Sequence, residues 1–446
     1  MHPFASYVLR SYYKNTGWNE DNLYANLTRT SNAILDFKVP RGLHFSISKS
    51  PNPLFKTSYS MNALPSLNGS VGYIFTSCDL DVKNSSDVRV KDMVDRFKVY
   101  DQPRRPEGKP EEWLAGERVD TRDYLLYGRL YIPTGRLDAL YSTRVSPTIQ
   151  AMVAAISDPM SSLQSSERSR AGSGGPSSNM MFSLQHDTGK WCTEYTWSAE
   201  DGMWGVRCLH NFGKLWTPVD ATDEPGKSAR PSKSRSKRVD EEEAMEGGLK
   251  GRISAGAEFY LSAKEKSAGV SAGIRFTTLP DATPPSYHFP SSSPTSTPYP
   301  AFSQPPTTIT ALFNPMLGHM SGAYAARVSK DLALCSRFDF NVYSYESEWT
   351  VGAEWWTRRS KTKPSPDHDN LDPSAPSSPF SVSVESREGE IQGVVKARAS
   401  TTTDISLVWE GRIRNVLVSL GVVSNLANRA KPIKAIGLEL SYFSSG

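Results

Sequence analysis

No long hydrophobic run occurs anywhere in the sequence. The longest near-apolar stretches are Ala151–Ile156 and Val416–Val423, and Ser419 interrupts the second. A membrane-crossing helix needs about 18 or more apolar residues in succession, so a helical membrane protein is excluded. Cysteine is scarce: Cys78, Cys192, Cys208 and Cys335 form no CxxC unit. That spacing suits neither a zinc site nor a dense disulfide framework, and free thiols are expected. Net charge is slight, +4 from 51 Lys+Arg and 47 Asp+Glu, which by itself implies no nucleic-acid partner. The opening stretch MHPFASYVLRSYYKN has no basic region followed by an apolar one, and little arginine. Neither a secretory signal nor an Arg-rich transit peptide is expected from it.

Catalytic motifs are missing too. The seven histidines are dispersed, with no HxxxH or HExxH pair, and there is no GxSxG elbow or P-loop. No catalytic residue, no metal and no cofactor is expected. His44, His186 and His319 fall on or near polar strand faces and are expected to line a lumen.

Aromatic residues, by contrast, are plentiful. Phe 17, Tyr 19 and Trp 10 stand in a chain only 38% hydrophobic, with a mean hydropathy of −0.46. So many tryptophans exclude a wholly disordered chain. Low hydropathy has an obvious source in polar inserts, at about 79–122, 158–178, 217–247, 279–306 and 360–378. These tracts of Ser, Pro, Gly and charge bury too little apolar surface to offset ordering, and flexible loops are expected.

Between the inserts the pattern is strict alternation. Trp349, Val351, Ala353 and Trp355 alternate with Thr350, Gly352 and Glu354. Ile436, Leu438, Leu440 and Tyr442 alternate with Gly437, Glu439 and Ser441. A period of two means one apolar and one polar face per strand. Roughly 20 such segments of about 8–11 residues occur, the length a tilted strand needs to cross a bilayer. The polar faces carry charge in mid-strand, at Arg207, Glu258, Arg275, Arg337, Glu354, Lys396, Arg398 and Glu410. Charges suit a wet lumen and aromatic faces suit lipid. Closing the sheet removes the unpaired edges. The pattern therefore predicts an all-β transmembrane barrel over residues 41–446. Residues 1–40 differ: Phe4, Val8 and Tyr12, then Leu23, Leu27 and Ile34, keep helical spacing, and Asn19 is placed to cap the second stretch. A short helical segment that plugs or braces the barrel is expected, followed by a first strand at Gly42–Lys49.

With no secretory signal, a mitochondrial outer-membrane barrel fits better than a bacterial one. Such barrels share a terminal-strand sorting signal, polar–x–Gly–x–x–hydrophobic–x–hydrophobic. Gly437, Leu440 and Tyr442 fall in register with it, while Ala435 departs at the polar position. Further likeness is carried by Val8-Leu9-Arg10, Tyr13, Trp18, Thr30-Ser31, Leu35-Asp36-Phe37 and Pro40, and by YGRLYIPTGRLDALYSTRVSP at Tyr127–Pro147. In these features the chain resembles the fungal mitochondrial distribution and morphology protein 10 family, from residue 1 to 446.

That resemblance implies a porin- and import-pore-like barrel of about 19 strands. It implies two assemblies: the endoplasmic reticulum–mitochondria encounter structure, where the barrel anchors lipid-transfer and tethering subunits, and the sorting and assembly machinery for outer-membrane barrels and the import translocase. It also implies a partner-binding role for aromatics on an early strand, matched here by Tyr73 and Phe75, where Phe75 replaces a family tyrosine. The function expected is a non-enzymatic scaffold in the outer membrane at contact sites, in touch with membrane lipid and not nucleic acid. Two other readings compete: a solute channel or translocation pore, and a soluble all-β repeat protein. The absence of a regular 40–50-residue repeat counts against the last.

Overall fold

A computed structural model describes residues 3–80, 82–99, 103–106, 113–114, 117–118, 122–159, 177–213, 251–278, 305–358, 391–401, 404–425 and 432–445. Nineteen strands form one sheet. In chain order they are β1 Gly42–Ser50, β2 Phe55–Leu64, β3 Asn68–Thr76, β4 Tyr124–Ile132, β5 Leu137–Ser146, β6 Ile149–Asp158 and β7 Ser177–Asp187. There follow β8 Trp191–Ser198, β9 Met203–Asn211, β10 Gly251–Ser262, β11 Ser267–Thr278, β12 Thr307–Asn314 and β13 His319–Arg327. The wall is completed by β14 Leu332–Asn341, β15 Ser347–Arg358, β16 Ile391–Ser400, β17 Ile405–Ile413, β18 Val416–Ser424 and β19 Ile433–Ser445.

Successive strands pair antiparallel. An odd number of alternating strands leaves the first and last running the same way, so closure requires a parallel seam. That seam joins Gly42–Ser50 to Gly437–Ser445, residue for residue. With no sheet edge left, the backbone is satisfied within the wall, as a membrane-spanning sheet requires. No described helix is long and apolar enough to cross a membrane.

Alternation sorts the side chains as the sequence predicts. Trp191, Tyr195, Phe259, Leu334, Phe338, Trp349, Val351, Trp355 and Leu407 are exposed on the outer face. Glu194, Arg275, Glu354 and Lys396 are buried on the inner one. A polar group on the outer face is neutralised locally, where the Trp349 indole Nε1–H donates to Ser336 Oγ at 2.8 Å. One histidine departs from expectation. His44 and His319 face inward, near Glu439 and Asp339 respectively, but His186 faces outward and is exposed. The reason is register: its neighbour Asp187 takes the inner position, accepting from Asn22 Nδ2 and the Gly189 N–H, each at 2.7 Å.

The lumen is occupied. Helix α1 (Pro3–Thr16), two 3-10 turns (Glu20–Asn22 and Tyr24–Asn26) and α2 (Arg29–Leu35) precede β1. Asn19 caps the first turn, its side chain accepting from the Asp21 N–H at 3.1 Å. Phe4, Val8 and Tyr12 of α1 pack in one cluster with Ile74, Leu125, Tyr127, Leu140 and Phe443 of the wall. Here the inner face is apolar, and each fully buried side chain contributes about 1.5–3 kcal/mol.

A second segment also enters. The excursion at 79–122 is expected to be loose, but residues 82–99 fold inward around α3 (Val90–Met93). Leu80, Val82, Val88, Val90 and Phe97 are buried. These apolar residues are scattered among Lys, Arg and Asp, so averaged composition hides them. The inserts at 217–247 and 360–378, and nearly all of 158–178 and 279–306, lie outside the described residues.

Candidate functional site in the lumen and at the seam

Helix C-termini leave carbonyls unpaired and carry partial negative charge. The barrel wall supplies cations to both. Arg144 Nη1 donates to the Thr16 carbonyl at the end of α1. At the end of α2, Lys396 Nζ donates to Ala33 O at 2.8 Å and Arg398 Nη1 to Leu35 O at 2.9 Å. Each such contact is worth roughly 0.3–1 kcal/mol, more when partly buried. Arg337 adds a two-pronged contact to Asp36, at 2.7 and 3.1 Å.

One buried pair ties both lumenal segments to the wall. Glu354 and Lys396 stand opposite each other on β15 and β16, with Nζ 3.9 Å from Oε2. Glu354 accepts from the Phe97 N–H at 3.1 Å and the Trp356 indole at 2.7 Å. Lys396 also donates to the Asp95 carbonyl. The 82–99 segment then runs to the seam. The Ser85 N–H donates to Phe443 O at 2.9 Å, and Asn84 Oδ1 accepts from the Ser445 N–H at 2.6 Å.

Inward-facing glycines mark the path of the N-terminal chain around the wall. A Cβ on Gly256 would meet the Tyr24 ring at 2.6 Å, one on Gly273 would meet Leu27 at 3.2 Å, and one on Gly352 would meet Leu35 at 2.7 Å. Farther on, Gly421 abuts Val39 and Pro40, and Gly437 abuts Pro40 and Arg41. Gly421 and Gly437 are paired across β18 and β19. The alternation pattern shows these as inward glycines, yet their partners are distant in sequence and give no local signal.

Of the three terminal-strand residues, Leu440 and Tyr442 face outward and Gly437 faces the lumen. Tyr73 and Phe75 share the outer face of β3. The Tyr73 ring lies over Gly128 of β4, where a Cβ would meet it at 2.7 Å. Phe75 packs against Tyr124 at a ring separation of 6.1 Å. Register places both sets on one outer surface: Tyr442 is beside Ile47, Ile47 beside Tyr59, and Tyr59 beside Val71. Three strand spacings, about 14 Å, separate the terminal strand from Tyr73's strand.

Trp191, His210 and Phe212 adjoin along one rim, with ring centroids 4.1 and 4.6 Å apart and the second contact edge-to-face, as in an interfacial aromatic girdle. None of the four cysteines is in a disulfide. Among the described residues no cluster of three His, Cys, Asp or Glu could hold a metal ion.

The sequence matches the family model described as mitochondrial distribution and morphology protein 10 over residues 1–386 and 375–445. A curated relative of that name from Postia placenta is 77% identical, with 100% of each chain covered. Another from Laccaria bicolor is 72% identical over 100% of each, and one from Cryptococcus neoformans is 41% identical over 99% of each. This closed nineteen-strand barrel, whose lumen its own N-terminal segment enters, is similar along its whole length to these proteins and belongs to the mitochondrial distribution and morphology protein 10 family.

Proposed function

We propose that this barrel is a non-enzymatic scaffold of the mitochondrial outer membrane that acts in mitochondrial distribution and morphology. In this reading it anchors the lipid-transfer and tethering subunits of the endoplasmic reticulum–mitochondria encounter structure. It also serves the sorting and assembly machinery as a subunit. The names of its relatives support the coarse role, since each is called a mitochondrial distribution and morphology protein.

The observation that carries the scaffold reading is the anchored lumen. A conducting pore needs a continuous wet path, whereas here two chain segments are bound to the wall through Lys396, Arg398, Arg144 and Glu354. With two segments of the chain held inside the barrel, the rims and the outer face are the surfaces most open to partners. Tyr73 and Phe75 offer partners an aromatic outer surface on β3.

Isolation of the native complex from mitochondrial membranes in mild detergent tests this reading. Subunits of the tether and of the barrel-assembly machinery should co-purify, and loss of the protein should reduce contact sites and slow barrel assembly. If neither set co-purifies and both processes run normally without the protein, the scaffold reading is wrong. Stable large conductance in a planar bilayer would favour the channel reading instead.

A further inference from the structure

In an antiparallel barrel every second turn falls on the same rim, so the turns after β2, β4, β8, β10, β12 and β14 share one end. Two of them carry charge at the tip: Glu200 and Asp201 after β8, and Lys264, Glu265 and Lys266 after β10. Such tips suit water. The neighbouring turns after β12 and β14 differ. Their Met316, Leu317, Tyr343 and Tyr345 are 59, 60, 67 and 80% exposed. Single exposed apolar residues are commonplace. Four of them on two adjoining turns make a patch, and a patch implies contact with something other than water.

The two turns are built as one rigid piece. The Tyr343 hydroxyl donates to Pro315 O at 2.8 Å, and its ring lies on Gly318, where a Cβ would meet it at 2.7 Å. The Val342 N–H donates to Gly318 O at 2.7 Å. Asn314 Oδ1 accepts from the Leu317 N–H at 3.1 Å, and Asn341 Oδ1 from the Tyr343 and Ser344 N–H groups at 2.9 and 3.1 Å. The carboxylate of these turns, Glu346, accepts from Ser344 Oγ at 3.2 Å. Tyr345 holds a φ of 56°, a left-handed conformation that is costly for a bulky residue and that glycine or asparagine would adopt more easily.

The borders of the patch indicate its cover. Phe313 and Met320 pair at the end of the β12–β13 hairpin, exposed on the outer face, and Val342 is exposed where the second turn begins. The patch therefore continues the lipid-facing wall past the strand ends. Water would satisfy the turn N–H groups unaided; meeting them within the protein matters where water is scarce. A tyrosine whose hydroxyl is bonded and whose ring is exposed suits the boundary between headgroups and acyl chains.

We propose that the turns after β12 and β14 form a membrane anchor seated in the headgroup–acyl boundary of a phospholipid bilayer, with Met316, Leu317, Tyr343 and Tyr345 as its contact set. The proposal rests on the reading of the barrel as a membrane protein. It adds that this part of the rim lies in lipid while the charged turns beside it stand in water.

The test places single cysteines by Leu317→Cys, Tyr345→Cys, Glu265→Cys and Val351→Cys in the full-length chain, with Cys208→Ala as background because the other three cysteines are buried. Val351 is exposed on the outer face midway along β15. Each variant carries a nitrobenzoxadiazole label and is placed in phosphatidylcholine nanodiscs with a lipid bearing a nitroxide either high or deep on its acyl chain. Resistance to unfolding in detergent electrophoresis checks folding; Met316→Cys and Ser344→Cys replace either turn variant that fails. The label at 351 should be quenched most by the deep nitroxide. The labels on the two turns should be quenched most by the shallow one, about twice as strongly as the label at 265 or more. Quenching at 351, with either turn no more quenched than position 265, would overturn the anchor alone and leave the patch to a protein partner. Absence of quenching at 351 and at both turns would overturn the membrane reading and the anchor with it.

Discussion

Gly437 lies directly beneath Pro40, so close that a Cβ on the glycine would overlap the Pro40 carbonyl. The contact sits where the N-terminal chain leaves the lumen and enters β1, next to the parallel seam. Gly437 thus has a steric task in the finished barrel in addition to any part in a sorting signal.

Gly437→Val should prevent the 39–41 chain from crossing the seam, and closure should fail. Leu440→Lys should fail for a different reason, by placing a charge on the lipid face at a cost of roughly 2–4 kcal/mol near the midplane. Import into isolated mitochondria, followed by carbonate extraction, measures both. If Gly437→Val integrates and resists protease like the natural protein, the crossing is not required. A finer comparison uses variants lacking residues 1–40. If removal restores integration of Gly437→Val, the defect is steric; if not, recognition of the strand has been lost.

The Tyr73 ring is positioned by the glycine beneath it. Gly128→Val should lift the ring off the wall without removing any of its atoms. Co-purification of barrel-assembly subunits should then fall to a similar degree as in Tyr73→Ala, with the barrel itself intact. Were Gly128→Val to bind partners normally while Tyr73→Ala does not, the orientation of the ring would be irrelevant to binding.

Lys396→Met removes the cation from a fully buried carboxylate, Glu354, and a donor from Ala33 O. Breaking a buried pair on one side typically costs about 3–5 kcal/mol. The expected result is release of both lumenal segments: faster proteolysis within residues 29–41 and 82–99, a lower thermal midpoint, and new conductance in a planar bilayer. An unchanged cleavage pattern would show that the other contacts suffice to hold them.

The wall was legible in the sequence because alternation is a local signal. Trp349 and Trp355 point outward and Lys396 and Glu410 inward for the same reason, a period of two. What the lumen holds was less legible. Residues 82–99 contain Val88, Val90 and Phe97 at no regular spacing, and their partners, such as Glu354, lie far along the chain. The glycines that seat Tyr24, Leu35 and Pro40 are silent for the same reason. His186 shows the opposite limit: at a strand end one residue of register decides which side faces lipid.

The remaining prediction concerns Lys91, which lies in α3 and faces Arg96, Arg358, Arg327 and Asp331. Burial first, and then the three arginines, lower its pKa from 10.5 to about 8, with Asp331 opposing. The folded value is below the unfolded one, so between about pH 8 and 10.5 the unfolded chain holds more protons. The penalty for a charged Lys91 is therefore fully present below pH 8 and is relieved as pH rises through that window. Thermal midpoints should follow that rule, with Lys91→Gln the more stable near pH 7 and its advantage shrinking toward pH 10. Identical midpoint-against-pH profiles for the two proteins would show that the folded protein does not disfavour a charged Lys91.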